Sequence, residues 1–155
     1  MVALFGIQND FRDAIQSLIK LDYAAVAAYQ EAIEHLEKQE YKDKLAEFKN
    51  DHERHISELS SVFKTMGGIP PKSAGIKQLF TQGKVVFADL LGDKAILKAM
   101  KSNEDDTNQA YYNINKHPDI TNEAIDALEA GLEDERKHRA WIVSALAKLE
   151  EKTEA

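Results

Sequence analysis

The stretch Glu135-Arg136-Lys137-His138 places two ionisable side chains on the face of a helix that should be apolar. Glu135 and His138 are three positions apart, so on an α-helix both side chains leave the same face. A charged group on a face that packs into a core is costly unless another group pairs with it. The sequence therefore predicts polar partners on the facing helices. The row on that face, in alternate steps of three and four, is Ala124, Leu128, Gly131, Glu135, His138, Ile142, Ala145 and Leu149.

Three earlier segments have the same pattern, in which an apolar row with helical spacing is interrupted near its middle by polar residues. Such spacing predicts amphipathic helices. Glycine and proline are scarce, and no long stretch alternates with period two, so we expect a nearly all-helical chain. The interruptions are Asp22 in residues 9–38, His52 and His55 in residues 41–66, and Glu104 in residues 93–114.

The connections between these rows predict an all-α fold, a four-helix bundle made of two antiparallel helix hairpins. Gln39-Glu40 is predicted as the turn of the first hairpin, and residues 115–119, which contain Pro118, as the turn of the second. Gly67-Gly68 followed by Pro70-Pro71 should end the second helix. Residues 67–92 then form a long crossover. We expect residues 1–155 to be a single domain.

The composition excludes several classes of function. The chain has no cysteine, so disulfides and thiolate metal sites are excluded. The net charge is −7 and the basic residues do not cluster, which disfavours nucleic acid and anionic membranes as partners. No apolar run reaches the roughly 20 residues of a membrane span, and no signal-peptide profile is seen. We expect a cytoplasmic protein, with a homodimer formed through the crossover as a further expectation.

The polar residues of the four rows are predicted to lie at one level of the bundle. Positions equally distant from a hairpin turn lie opposite each other. The midpoint in sequence between Asp22 and His55 falls at positions 38–39, and the midpoint between Glu104 and His138 falls at position 121. Oxygen and nitrogen donors suit iron, manganese or zinc. The alternative is a metal-free network of hydrogen bonds between carboxylates and protonated imidazoles. The predicted layer consists of Asp22, His52, His55, Glu104, Glu135 and His138.

At these residues the chain resembles the ferritin-like superfamily of di-iron carboxylate bundles, which includes rubrerythrins and ferritins. The segments Met66-Gly67-Gly68-Ile69-Pro70 and Asp93-Lys94-Ala95-Ile96-Leu97 are similar to an uncharacterised bacterial branch of that group. In the superfamily pattern two helices each give one Glu and two each give Glu-x-x-His. Glu135-x-x-His138 and Glu104 match it, and Asp22 is a shorter carboxylate at the first position. His52 departs from it, because a glutamate that can span two metals is expected there.

The resemblance implies a di-iron, or mononuclear iron or manganese, site that reacts with dioxygen or peroxide in a ferroxidase or oxidative-stress role. The alternative is a non-catalytic bundle with a structural zinc or no metal, acting as a stress-associated interaction module. Tyr29 and Tyr111, each seven residues after a lone carboxylate, either support the site or pack the core. Gly131 leaves space either for a small oxidant or for close helix packing. His35 and His117, near turns, are given no role and are expected to be solvated.

Overall fold

Four long helices follow the four apolar rows. A computed structural model describes residues 6–75, 87 and 90–154. Its helices are α1 (Phe11–His35), α2 (Gln39–Thr65), α3 (Gly92–Ile114) and α4 (Asn122–Glu154). The prediction of an all-α four-helix bundle is confirmed, and no strand occurs in the described ranges.

The first hairpin turn lies slightly earlier than predicted. Gln39 and Glu40 are not the connection but belong to the first turn of α2, and the connection is residues 36–38. The carboxylate of Asp93, next to the start of α3, explains this position. It accepts hydrogen bonds from the backbone amides of Glu37 and Lys38 at 2.8 and 3.0 Å, so it holds the turn in a non-helical conformation.

The predicted end of α2 at the two glycines is confirmed. Gly67 has a φ of 78°, a conformation that glycine adopts without a steric penalty. The amide of Gly68 donates to the Phe63 carbonyl and that of Gly67 to the Lys64 carbonyl, both at 3.0 Å, which is the Schellman arrangement. Of the predicted crossover, residues 76–86, 88 and 89 lie outside the described residues.

Neighbouring helices of the bundle are antiparallel. α1 packs against α2 and α3, and α4 packs against α2 and α3. Tyr29 of α1 contacts Glu104 of α3, while the earlier Asp22 contacts the later Tyr111, so α1 and α3 run in opposite directions. The order of directions is therefore up, down, down, up. This order requires one connection along the length of the bundle, between α2 and α3.

The core consists of two apolar clusters, one towards each end of the bundle, with the polar layer between them. Both are built from the faces that the rows predicted. The first cluster includes Phe11, Ile15, Leu18, Leu59, Val62, Ile114, Ala124 and Leu128. The second includes Ala32, Leu36, Tyr41, Leu45, Phe48, Leu97, Met100, Ile142 and Ala145.

Candidate metal centre

All six residues of the predicted layer are buried, and none exposes more than 2% of its surface. The structure brings them together as two overlapping groups that share His52 and Glu135. Within each group, one donor atom per residue lies within 4.8 Å of the others. The groups are Asp22, His52, His55 and Glu135, and then His52, Glu104, Glu135 and His138.

In the first group, two nitrogens and two oxygens surround one point. His52 Nδ1 lies 2.8 Å from Asp22 Oδ1 and 3.5 Å from Glu135 Oε1. His55 Nδ1 lies 3.5 Å from the same Asp22 oxygen and 3.4 Å from the same Glu135 oxygen. Donors about 2.1 Å from a tetrahedral ion are about 3.4 Å apart, so three of these four edges match such an ion.

The second group uses the opposite atoms of the two shared residues. His52 Nε2 lies 3.6 Å from Glu104 Oε1, and His138 Nδ1 lies 3.6 Å from that same oxygen. His138 Nδ1 also lies 4.0 Å from Glu135 Oε2. These spacings are slightly wider than in the first group, and they too surround a cation-sized point.

Two aspartates that the sequence analysis missed hold the outer nitrogens of the histidines. His55 Nε2 lies 3.0 Å from Asp134 Oδ2, and His138 Nε2 lies 2.8 Å from Asp51 Oδ2. Each contact crosses between α2 and α4. A carboxylate on one imidazole nitrogen fixes the ring orientation and leaves the other nitrogen free as a ligand. The sequence signal was present, because an aspartate precedes each of the two histidines by four positions.

Of the donor atoms that face the centre, five lack hydrogen-bond partners, whereas Asp22 Oδ1 and His52 Nδ1 are bonded to each other and Glu104 Oε1 accepts from Tyr29. Among the described residues, His52 Nε2, His55 Nδ1, His138 Nδ1 and both carboxylate oxygens of Glu135 are buried without one. Leaving buried polar atoms unsatisfied costs about 1–3 kcal/mol each. A metal ion at each point would satisfy all five atoms, so the donor set fits a metal.

Two tyrosines connect the hairpins at the same level. The Tyr111 hydroxyl donates to Asp22 Oδ2 at 2.7 Å, and the Tyr29 hydroxyl donates to Glu104 Oε1. Burial and the nearby carboxylates raise the pKa of both phenols well above the usual value, so both stay protonated donors. Both tyrosines also belong to the apolar clusters, so each packs in the core and donates a hydrogen bond to a carboxylate of the layer.

Charge is shared unevenly in the metal-free site. Burial alone would raise the pKa of Asp22 and Glu104, but the histidines that face them hold both below the usual value. Burial raises the pKa of Glu135, and the neighbouring carboxylates add to this. Burial alone would lower the pKa of His52, but Glu135 and Asp22 raise it well above the usual value. Without metal, protons on His52 and His55 balance the carboxylates.

The structure also shows the surroundings of Gly131, His35 and His117, for which the sequence predicted space or solvent exposure. A side chain at Gly131 would place its Cβ 2.4 Å from Cε1 of Tyr111, so this glycine permits close packing rather than an open space. His35 is exposed at the end of α1, as expected. His117 is not solvated, contrary to expectation. It is 6% exposed, its Nε2 donates to the Gln8 carbonyl at 2.6 Å and its Nδ1 accepts from the Asp119 amide, so it ties the N-terminal segment to the second turn.

The fold and the site together define a four-helix bundle with a buried carboxylate and histidine cluster that could hold a metal ion. The family described as "Domain of unknown function (DUF2383)" matches residues 10–117. The match covers more than half of the chain, so the chain belongs to this family. No curated protein matches it. None of the helices in the described residues has the length and apolar character needed to cross a bilayer.

Proposed function

We propose that this chain is a metal-binding protein of the ferritin-like kind that holds two divalent transition-metal ions at the centre of the bundle. With iron bound, we propose a ferroxidase or oxidative-stress role with dioxygen or peroxide as the oxidant. The six ligands are Asp22, His52, His55, Glu104, Glu135 and His138. The antiparallel arrangement with one long connection supports the ferritin-like assignment, because it is shared by that class of bundle.

One observation carries the proposal. The five buried atoms without hydrogen-bond partners at this level of the bundle all point inward, while the outer nitrogens of His55 and His138 are held by aspartates. A network evolved only for folding would gain nothing from orienting two imidazoles outward and leaving their inner nitrogens unpaired. Metal ligation explains both halves of the pattern.

The donor set limits the choice of metal. Three carboxylates and three imidazoles suit iron, manganese or zinc, whereas calcium and magnesium prefer oxygen ligands alone. Bound iron would supply the electrons that reduce dioxygen or peroxide. The chain would contribute a site from which bulk water is excluded by the two apolar clusters. Tyr29 and Tyr111 would hold Glu104 and Asp22 in place as protonated donors.

A non-catalytic bundle with zinc is the second candidate, and His52 is the observation that favours it. An imidazole at this position gives the layer three carboxylates where the ferritin-like pattern has four. Less negative charge stabilises trivalent iron less well, while zinc keeps one oxidation state and accepts imidazole and carboxylate ligands. The two candidates share the site and differ in chemistry.

Metal analysis tests the proposal. Protein made metal-free with a chelator and incubated with ferrous iron or zinc should bind close to two ions per chain, measured by elemental analysis after gel filtration. Oxidation of ferrous iron in air, followed by absorbance, should exceed that in buffer. Oxidation faster than in buffer supports the enzyme, and zinc binding without it supports the second candidate.

Paired ligand variants check the assignment. The double substitution His55→Ala with His138→Ala removes one ligand from each position, and it should abolish metal binding while circular dichroism still shows the helices. The exposed His35→Ala is the matched control and should keep the metal. If metal content survives the double substitution, the ligand assignment is wrong.

A further inference from the structure

We propose that His52 bridges the two metal positions through its two ring nitrogens, so that an imidazolate takes the place of a bridging carboxylate. This inference rests on the proposed function, since it needs two bound metals. His52 stands where the Glu-x-x-His pattern has a glutamate. That replacement could equally have meant the loss of the second metal. The geometry points to a changed bridge instead.

The two nitrogens of His52 belong to different groups of donors. Nδ1 lies 2.8 Å from Asp22 and 3.5 Å from Glu135 Oε1, in the position completed by His55. Nε2 lies 3.6 Å from Glu104, in the position completed by His138, and it has no hydrogen-bond partner among the described residues. Nδ1 forms a hydrogen bond with Asp22 Oδ1, and this acceptor is itself one of the six predicted ligands rather than a carboxylate outside the layer.

His55 and His138 show the contrast. Both direct Nδ1 inward and give Nε2 to an aspartate at the edge of the bundle. His52 has no aspartate of this kind, and both of its nitrogens face carboxylates of the six-residue layer. Its ring centroid is about equally far from those of the other two histidines, 5.5 Å from His55 and 5.3 Å from His138.

The two carboxylate oxygens of Glu135 also face different metal positions. Its Oε1 lies 3.4 Å from His55 Nδ1 and its Oε2 lies 4.0 Å from His138 Nδ1, so one oxygen faces each position. Both oxygens are buried without a hydrogen-bond partner among the described residues. The two positions are thus joined by two residues, one carboxylate and one imidazole.

Bridging through both nitrogens requires the ring of His52 to lose its remaining proton, which would leave for the solvent as the second ion binds. Two bound cations are what make loss of this proton favourable.

The bridge sets the distance between the metals. With metal–nitrogen bonds of about 2.1 Å on the two sides of one ring, the ions are about 6 Å apart. Ions in two-metal sites of the familiar close type are about 3.5–4 Å apart. The separation therefore distinguishes an imidazole bridge from a pair of ions joined only by carboxylates.

A crystal structure of the zinc-loaded full chain, combined with elemental analysis, tests the bridge. We expect two zinc ions per chain about 6 Å apart, with Nδ1 of His52 on one ion and Nε2 on the other. Two ions about 4 Å apart, or His52 bound through one nitrogen only, would overturn the bridge and leave the proposed function standing. One ion per chain would overturn both the bridge and the two-ion stoichiometry of the proposed function. No bound metal would overturn the proposed function itself.

Two substitutions sharpen the result. His52→Glu restores a carboxylate that can span two ions, so it should keep two zinc ions but shorten their separation to about 4 Å. His52→Ala removes a ligand from both positions and should weaken the binding of at least one zinc ion by about 100-fold or more. His35→Ala is the control, and circular dichroism reports whether each variant is folded. Unchanged affinity of folded His52→Ala for both ions would contradict the bridge.

Discussion

The first hairpin (α1 and α2) and the second (α3 and α4) are two versions of one design. In each, a carboxylate is followed seven residues later by a tyrosine, and the second helix carries an aspartate four residues before a histidine. The contacts repeat too, since each tyrosine reaches the carboxylate of the other hairpin and each aspartate reaches the other hairpin's histidine. The repeated residues are therefore the ones that hold the six-residue layer in position.

The two hairpins differ at matched positions where the site is specialised. His52 in the first corresponds to Glu135 in the second, so the first hairpin supplies one carboxylate to the layer and the second supplies two. Phe48 corresponds to Gly131. The comparison teaches that the frame of the site is duplicated, while its charge and its packing are not. Each of the following predictions tests one feature of this comparison separately.

The largest expected effect comes from the crossed aspartates. Asp134→Asn should weaken the metal position that contains His55, and Asp51→Asn the position that contains His138, each by about 10–100-fold. The physical reason is that an amide still accepts the Nε2 hydrogen bond but no longer supplies the charge that makes the imidazole a stronger ligand. Zinc titration in competition with a coloured chelator measures both affinities.

The exposed Asp126→Asn on α4 is the matched control and should leave both affinities unchanged. A structure of each variant shows which of the two positions has lost zinc. If Asp134→Asn emptied the position of His138 instead, the crossed contacts would not be the ones that orient the ligands.

The next prediction concerns the difference in packing between the two hairpins. Gly131→Ala should destabilise the protein by about 1–3 kcal/mol, although glycine to alanine in an exposed helix normally stabilises by about 1 kcal/mol. The new Cβ would lie 2.4 Å from the ring of Tyr111, which cannot move away because it is 1% exposed and bonded to Asp22. Urea unfolding of the metal-free protein measures the change.

A double-mutant cycle isolates the contact. In a Tyr111→Leu background the ring is absent, so Gly131→Ala should cost less than it does in the native chain. Equal costs in the two backgrounds would show that the glycine is needed for another reason.

Much of this architecture could be predicted from the sequence. Apolar spacing fixed the helices and their buried faces, and positions equidistant from the turns placed Asp22, Glu104 and the histidines at one level. The crossed aspartates could not be found in that way, because Asp51 and Asp134 lie off the apolar rows and their function depends on how α2 and α4 are rotated against each other. The first turn was misplaced because Asp93, which holds it, is more than 50 positions away.

The final expected effect is a pH dependence that arises from the imidazole of His55 in the first hairpin. Burial alone would lower the pKa of His55, but Asp22 and Glu135 raise it from 6.5 to about 10 in the metal-free protein. The folded chain therefore holds this proton more tightly than the unfolded chain. The resulting stabilisation is complete below about pH 6.5 and is lost as the pH rises towards 10. We therefore expect the free energy of unfolding to fall by at least about 1 kcal/mol between pH 7 and pH 10.

Urea unfolding with chelator present measures this change. The amide of His55→Asn does not titrate, so the free energy of unfolding of this variant should fall less steeply over the same range. Equal slopes for the two proteins would show that the proton on His55 does not stabilise the first hairpin.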